Sequence, residues 1–328
     1  MLTPFDGPAE RTAQWARACP WTTTVGLARA VLAAGTLLTV LSTPYEVLLS
    51  PLSDGTVPPV CGGPGRLGLW CVVPDGHRWL AVLISAVVLC VVIAGWRPQI
   101  TGVLHWWVAW SFTAGVTIQD GGDQVATVIA LLLLPITLTD RRRWHWQRGP
   151  VLADDATPGW SWLVARVARV LIMVQVFVIY LHAAIAKLGV TEWADGTALW
   201  YWLRNPQFGA AGWLSPLTDR VIASPAGVMG LTWGSMTIEF LLACALFMRP
   251  VPRRILLVAG LGLHLGIAAA MGLVSFLCAM AAALLLYLTP VGQELRETWP
   301  VKLLESVRTR RQKVTSIDAA RMVTEPSG

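Results

Sequence analysis

Charged residues are scarce in this 328-residue chain. Asp, Glu, Lys and Arg together make up 13% of it, against about 25% in typical soluble domains. Hydrophobic residues make up 55%. The charges fall between long apolar runs and in the segment after Pro290. This composition argues against a soluble globular domain and predicts a protein surrounded by the lipid bilayer.

Familiar nucleotide and metal motifs are missing as well. The chain contains no GxxxxGK, HExxH or CxxC, so no motif supports a P-loop or a zinc site, and we predict no metal centre. No run alternates with period two, which argues against a membrane β-barrel. The stretch Met1–Pro20 lacks an apolar core, and this predicts that it is not a cleavable signal peptide.

The apolar runs predict membrane-spanning helices. About 20 residues of α-helix cross the roughly 30 Å hydrocarbon core of a bilayer. The candidate runs are Val25–Leu49, Arg78–Trp96, Ile100–Ile118, Gly122–Leu138, Trp162–Leu188, Ala226–Met248, Arg254–Met271 and Val274–Leu288. We predict an all-α polytopic membrane bundle of about eight transmembrane helices. Residues 1–24 would form a cytoplasmic segment, 25–289 the transmembrane domain and 290–328 a cytoplasmic basic tail.

The distribution of Lys and Arg predicts the orientation of this bundle. With both termini in the cytoplasm, the inner segments, counted with Arg254 at the first position of a span, hold seventeen Lys and Arg residues. The outer segments, counted with Arg78 at the first position of a span, hold four. The four outer residues are Arg66, Arg78, Arg204 and Arg220. This asymmetry satisfies the positive-inside rule and predicts N-in, C-in topology. Because the basic residues cluster at membrane edges rather than on one face, we predict no nucleic-acid partner.

Two ionisable residues lie deep within predicted spans. Such groups are costly in lipid and usually face the bundle interior. By helical rise, Glu239 and His264 lie roughly 14 and 15 Å from the inner ends of their helices. Matching depths on consecutive antiparallel helices would allow the two to meet. They would form either a hydrogen-bonded pair that fixes packing or part of a functional site.

Lys187 ends the fifth predicted span. A lysine there can extend to the lipid headgroups at little cost. Tyr180, Ala183 and Ala184 share its helix face, however, and small residues on a face allow another helix to approach closely, which indicates that Lys187 points into the bundle. Burial disfavours the charged form of an amine, and a neutral lysine can act as a base.

An aromatic segment follows Lys187. The stretch "EWADGTALWYWLRNPQFG" predicts an interfacial helix with Asp195 as its N-cap and Pro206 as its terminator. Trp193 and Trp200 suit the membrane–water boundary. They suit equally well the roof of a cavity for a flat ligand.

A Gly-Gly turn precedes the fourth predicted span, in "TIQDGGDQVAT". It places Asp120 and Asp123 on either side of the turn. Asp123 is positioned to cap the helix, since a carboxylate accepts its free N–H groups. The two carboxylates are also candidates for the rim of a site.

Cys61 and Cys71 share one predicted outer loop, "PVCGGPGRLGLWCVVPD". The Gly and Pro residues between them permit a tight loop, and the outer face of a membrane is oxidising. We predict a disulfide between them, with two free thiols as the alternative.

These residues carry a resemblance to a known family. The segment "QVFVIYLHAAIAKLGVTEWADGTAL" resembles the centre of the HTTM family, which includes the vitamin K-dependent gamma-glutamyl carboxylase. "DGGDQ" before a Leu-rich helix and "DRRRWHW" resembles its bacterial branch of sporulation-delaying protein B (SdpB). The resemblance implies that Lys187 occupies the position of the carboxylase base and His264 that of a family histidine. It also implies a reduced quinone as cofactor, a bacterial cell-membrane location, a secreted peptide precursor and a co-encoded accessory protein.

We therefore predict an outward-facing membrane site centred on Lys187. Glu239 and His264 would lie deeper, and Asp120 and Asp123 would lie at its rim. The residues predicted to bind substrate or form a lid are Asp120, Asp123, Tyr180, Trp193, Asp195 and Trp200. The site would serve the maturation of a secreted antimicrobial or toxin peptide. A carboxylase-like enzyme, a non-catalytic chaperone or export partner, and an immunity protein or small-solute transporter all remain open.

Overall fold

Helices build the described part of the chain. The computed structural model describes residues 15–153, 155–206 and 208–297. Its long helices are α1 Thr23–Ser42, α2 Arg78–Ala94, α3 Pro98–Gly115, α4 Gly121–Thr139, α5 Trp160–Leu188, α6 Pro225–Cys244, α7 Pro250–Met271 and α8 Val274–Leu288. Each overlaps one predicted span, so the predicted all-α bundle is confirmed. Residues 1–14 and 298–328, which hold most of the two predicted cytoplasmic segments, lie outside the described residues.

Six of the described helices are long and apolar enough to cross a membrane: α1, α2, α4, α5, α6 and α7. The second span is counted from Asp75, because the short 3-10 helix Asp75–His77 leads directly into α2. Of the other two helices, α3 has 18 residues but is less apolar, and α8 has only 15 residues. The chain is therefore a multi-pass membrane protein with six spans that satisfy both criteria. The predicted count of eight and the predicted orientation remain predictions.

Local sequence signals set the helix starts. The Thr22 side chain accepts a hydrogen bond from the Val25 N–H at the start of α1, and the Ser224 hydroxyl accepts one from Gly227 in α6. Such caps satisfy backbone donors that have no partner within the helix. Helices α3, α6 and α7 also carry proline in the first turn, where its missing N–H is not needed.

The first predicted span is too long by seven residues. It was expected to run to Leu49, but α1 ends at Ser42 and a separate short helix covers Tyr45–Leu48. The reason is Pro44, which disfavours helical geometry in the residue before it. Thr43 accordingly has extended backbone angles, with φ −112° and ψ 120°.

Helix α8 forms the centre of the bundle. It packs against α1, α4, α5 and α7. Its buried residues are Ala279, Met280, Ala282, Ala283, Leu284, Leu286, Tyr287 and Leu288. A helix that is apolar all round is typical of a position enclosed by other helices. Its 15 residues therefore contact mainly protein at the bundle axis.

The approach of α1 to α8 depends on a glycine. A Cβ atom added at Gly35 would lie 2.8 Å from the Cys278 Cβ and 3.1 Å from the Ser275 carbonyl oxygen. Neither atom belongs to the far end of a flexible side chain. Small residues at helix crossings allow this close backbone approach in membrane proteins.

The connection between α4 and α5 places His145 among the helix ends. A Cβ atom at Gly95, which has φ +87°, would lie 2.4 Å from the His145 ring. The His145 Nδ1 atom lies 3.4 Å from an Arg29 guanidinium nitrogen of α1. Burial, reinforced by the positive charges of Arg29 and Arg142, lowers the pKa of His145 to about 3.

We expect Gly35→Ala to destabilise the protein. Overpacking a close contact costs about 1–3 kcal/mol, more than the roughly 1 kcal/mol that alanine gains over glycine in a helix. Gly262→Ala in α7 is the matched control, because nothing lies within 4 Å of a Cβ there. Thermal unfolding in detergent should show a lower midpoint for Gly35→Ala only. Equal midpoints for the two variants would contradict the α1–α8 contact.

We expect acid to destabilise the protein in part through His145. Its pKa is depressed in the folded state, so between pH 6.5 and about 3 the unfolded chain binds a proton that the folded chain does not. The free energy of unfolding therefore decreases as the pH is lowered across this window, by about 1.4 kcal/mol per pH unit for one proton. His145→Gln should flatten the dependence of the thermal midpoint on pH, whereas His77→Gln, at an exposed histidine, should not. The same slope in both variants would refute this role of His145.

Candidate functional site

An ion pair joins α5 to α6. The Lys187 Nζ atom, in the last turn of α5, lies 2.5 Å from each carboxylate oxygen of Glu239 on α6. The two side chains are 22% and 11% exposed. A pair this protected from solvent is less screened than a surface salt bridge. Two of the three residues predicted as catalytic are therefore in direct contact.

An aromatic ring covers the Lys187 end of this pair. The centre of the Trp193 ring lies 4.9 Å from the Lys187 Nζ atom, within the range of a cation–π interaction. Lys187 was expected to be an amine made neutral by an apolar crevice. The structure places the Glu239 carboxylate and the Trp193 ring beside its Nζ atom, and the neutral state of the amine stays a prediction.

His264 pairs with Tyr180 and not with Glu239, the partner that matching depths in the bundle had predicted. Its Nε2 atom lies 2.8 Å from the Tyr180 hydroxyl, and its ring packs edge-on against Phe276. His264 is buried, and its Nδ1 atom has no hydrogen-bond partner among the described residues. Tyr180 precedes Lys187 by two helical turns on the same face. The face of α5 predicted from sequence thus carries both polar contacts.

Asp120 and Asp123 cap α4. The Asp120 carboxylate accepts a hydrogen bond from the Asp123 N–H, and the Asp123 carboxylate accepts one from the Asp120 N–H, each at 3.0 Å. The second Asp120 oxygen accepts from the Ser275 hydroxyl of α8 at 2.8 Å. These bonds make both carboxylates part of a capping box. Their role at the rim of a site remains a prediction.

The predicted interfacial helix is wrong in detail, because the aromatic segment forms two short helices, Thr191–Ala194 and Ala198–Leu203. Asp195 is not the N-cap of the second helix. Its carboxylate accepts hydrogen bonds from the Thr197 N–H and hydroxyl, and Thr197 takes the cap position. Gly196, with φ +85°, makes the turn that sequence pattern alone did not reveal.

Asp195 and Trp200 line one cavity. It has a volume of about 420 Å³ and lies between the aromatic segment and the start of α6. Its walls are formed by Asp195, Gly196, Thr197, Trp200, Tyr201, Ile222, Ala223, Pro225, Val228 and Met229. Both residues come from the predicted lid, and this volume falls within the range of small-molecule sites.

A second concavity flanks the ion pair. This groove, of about 310 Å³, lies between α5 and α6. It is lined by Ala184, Ile185, Leu188, Trp233, Met236, Thr237 and Phe240. Ala184 and Met236 precede the two paired residues by three positions, about one helical turn. The groove therefore lies at the same level of α5 and α6 as the charged pair.

Cys61 and Cys71 are joined by a disulfide, with a Cα–Cα distance of 5.6 Å. The loop they close packs onto α3. The Trp107 indole N–H donates to the Leu67 carbonyl at 2.9 Å, and the Leu69 N–H donates to the Ser111 hydroxyl at 2.9 Å. The bridge thus holds a loop that is also anchored to the bundle.

Sequence reasoning overlooked a second polar cluster, at the opposite end of the bundle from Lys187. Arg29 is buried and donates to the Thr101 hydroxyl at 2.7 Å. His105 and His145 are buried near it. Arg29 lies inside the first predicted span, and an arginine in a span is itself a signal of an interior position. Among the described residues, no three His, Cys, Asp or Glu side chains are placed to hold a metal ion.

The fold and the site define a class. The chain is a multi-pass helical membrane protein with a protected Lys–Glu pair beside an aromatic segment. It is 35% identical over 308 residues to "Uncharacterized protein YitO" of Bacillus subtilis (strain 168), covering 92% of this chain and 96% of that protein. It is 32% identical over 286 residues to "Sporulation-delaying protein SdpB" of the same strain, covering 85% of each.

The chain therefore belongs to the SdpB family, and the resemblance to that branch is confirmed. No family model matches the chain. No solved structure matches it. The wider relation to the HTTM family remains a prediction from the residues.

We expect Lys187 and Glu239 to be energetically coupled. Lys187→Gln or Glu239→Gln alone leaves one protected charge without its partner, which is costly, whereas the double variant removes both charges. A double-mutant cycle of thermal unfolding should give a coupling free energy of about 1–3 kcal/mol. The exposed pair Arg148–Glu297 is the control and should give less than about 1 kcal/mol. Strictly additive effects at Lys187 and Glu239 would show that the pair does not hold α5 to α6.

Proposed function

We propose that this protein acts in the maturation of a secreted antimicrobial or toxin peptide, at an outward-facing site in the cell membrane. The single observation that carries the proposal is the contact of Lys187 with Glu239 beside a groove and an aromatic lid. The family relation supports it, since one relative is named for sporulation delay. We infer a role in a peptide pathway of that kind.

The pair offers acid–base chemistry. Transfer of one proton from the Lys187 ammonium to the Glu239 carboxylate would leave a neutral amine and a neutral acid. The amine could then accept a proton from a bound substrate. The two groups are in direct contact, so the proton would pass between them without an intervening water. Covalent modification of the peptide would require this exchange, and protonation states of such a pair belong to the pair as a whole.

The resemblance also implies a reduced quinone. Leu188, Trp233, Met236 and Phe240 of the groove would hold the apolar ring of such a molecule, so the residues fit it chemically. When bound, a reduced quinone supplies an acidic hydroxyl and a centre that reacts with oxygen. The contribution of this chain would be to exclude water with the groove and to take up the proton at Lys187.

A non-catalytic chaperone or export partner is the second candidate. It is favoured by the same ion pair, because the contact between Lys187 and Glu239 joins α5 to α6 without any proton transfer. In that case the pair would fix α5 against α6, and the cavity of about 420 Å³ would hold a side chain of the peptide.

Lys187→Arg separates these two functions. Arginine keeps the positive charge and the ion pair, but it does not release its proton in proteins. If Lys187 is a base, we expect at least a 100-fold loss of modified peptide with normal accumulation of the membrane protein. The mass and amount of the secreted peptide should be measured in a host strain carrying the wild-type or variant gene.

Two outcomes decide the test. Unmodified peptide secreted in normal amount by the Lys187→Arg strain supports the enzyme, and wild-type levels of peptide with unchanged mass overturn the assignment of Lys187 as a base. Glu239→Gln should give the same loss of modified peptide as Lys187→Arg. Glu192→Gln, the same change at an exposed carboxylate nearby, should leave the peptide unchanged.

A further inference from the structure

Three arginines gather at the end of the bundle opposite Lys187. Arg166 and Arg169 lie in the first half of α5, and Arg253 lies in the first turn of α7. Arg166 is 1% exposed and Arg169 is 2% exposed. Arginine is rarely buried this completely without a partner.

Two of the three guanidinium groups bind the C-terminal end of α8, and the charges of Arg166 and Arg253 both act on Arg169. Arg253 donates to the Tyr287 carbonyl at 2.9 Å, and Arg169 donates to the Thr289 carbonyl at 3.5 Å. Arg166 lies one turn before Arg169 on the same helix face. The end of a helix supplies about half a negative charge, which is far less than three cations require.

Many donors in this cluster have no acceptor. Among the described residues, Arg166 has no partner for any of its three guanidinium nitrogens, Arg169 has none for Nη1 and Arg253 none for Nε. The indole nitrogen of Trp162, one turn before Arg166, is also without a partner. A buried donor left unpaired costs about 1–3 kcal/mol, and more when it is charged. Six such atoms in one place therefore indicate a missing acceptor.

The described residues supply no compensating anion. Their ion pairs involve other side chains. The thiol of Cys19 interacts with Arg166, but burial raises the pKa of this thiol to about 11, so it is uncharged at neutral pH. The Trp15 ring lies 4.0 Å from the Arg166 guanidinium carbon. It covers the face of the cation and leaves the N–H groups in its plane unpaired.

We propose that Arg166, Arg169 and Arg253 form a binding site for a phosphate group. Guanidinium groups match phosphate oxygens with paired hydrogen bonds, and several arginines around one phosphate use its several oxygens. Trp162 also lines a cavity of about 580 Å³ whose walls carry Arg141, Arg142 and Arg148. Arg142 is paired with Asp140, which also lines the cavity, and Arg148 is paired with Glu297, so Arg141 is the further cation there without an ion pair among the described residues. The phosphate belongs either to the headgroup of an anionic lipid or to a soluble phosphate compound.

Thermal unfolding of the full-length protein in an uncharged detergent, after removal of lipid, tests the proposal. Phosphatidylglycerol is compared with diacylglycerol of the same chains, and inorganic phosphate with chloride at the same ionic strength. We expect a rise of several degrees with at least one phosphate-bearing ligand. A response to phosphatidylglycerol alone identifies a lipid headgroup, and a response to inorganic phosphate identifies a soluble ligand. No rise above the matched controls overturns the site.

Arg166→Met gives an independent readout. Without a ligand it should unfold at the same temperature as wild type or higher, because it removes a buried unpaired charge. With the effective ligand it should lose the rise seen in wild type. Arg254→Met, at an exposed arginine next to Arg253, should keep that rise. An equal loss of stability in Arg166→Met with and without ligand would show a purely structural contact and overturn the proposal. If the variant does not accumulate, the comparison of wild-type protein with and without each phosphate-bearing ligand decides alone.

Discussion

Compensation of charge inside an apolar bundle is the constraint on which this structure depends. A cation or carboxylate removed from water is costly unless another group balances it. Lys187 and Glu239 balance each other and so fix the register of α5 against α6. Arg169 and Arg253 bind carbonyls at the end of α8 and join α5 and α7 to the central helix. The few ionisable groups in the interior thus decide which helix turns meet.

The two ends of the bundle meet this constraint differently. Near Lys187, opposite charges form a neutral pair beside an apolar groove and an aromatic lid. At the other end, cations collect around a helix terminus with donors left over. The proposed exchange of a proton with a substrate from the lipid rests on the Lys–Glu pair. The proposed binding of a phosphate rests on the excess of positive charge. The two proposed sites therefore differ in their chemistry.

The sequence predicted the helices well because length and hydropathy are local properties. It also predicted that Tyr180 and Lys187 share an inward face, since the helical period fixes that face. It did not predict that Glu239 would meet Lys187 rather than His264, because their relative height depends on how far α5 and α6 slide past each other. The turn at Gly196 was missed because it interrupts an otherwise continuous aromatic pattern. Arg29 was overlooked inside an apolar run, although a charge there was the available signal.

The position of α8 also bears on how the protein is made. Its residues leave the ribosome last among the long helices, yet they occupy the middle of the finished bundle. The contacts that α8 makes with α1, α4, α5 and α7 can therefore form only when synthesis is nearly complete, whereas the pairs α1–α2, α3–α4 and α4–α5 can pack earlier. A chain that ends before Val274 would lack the helix at the centre of the bundle.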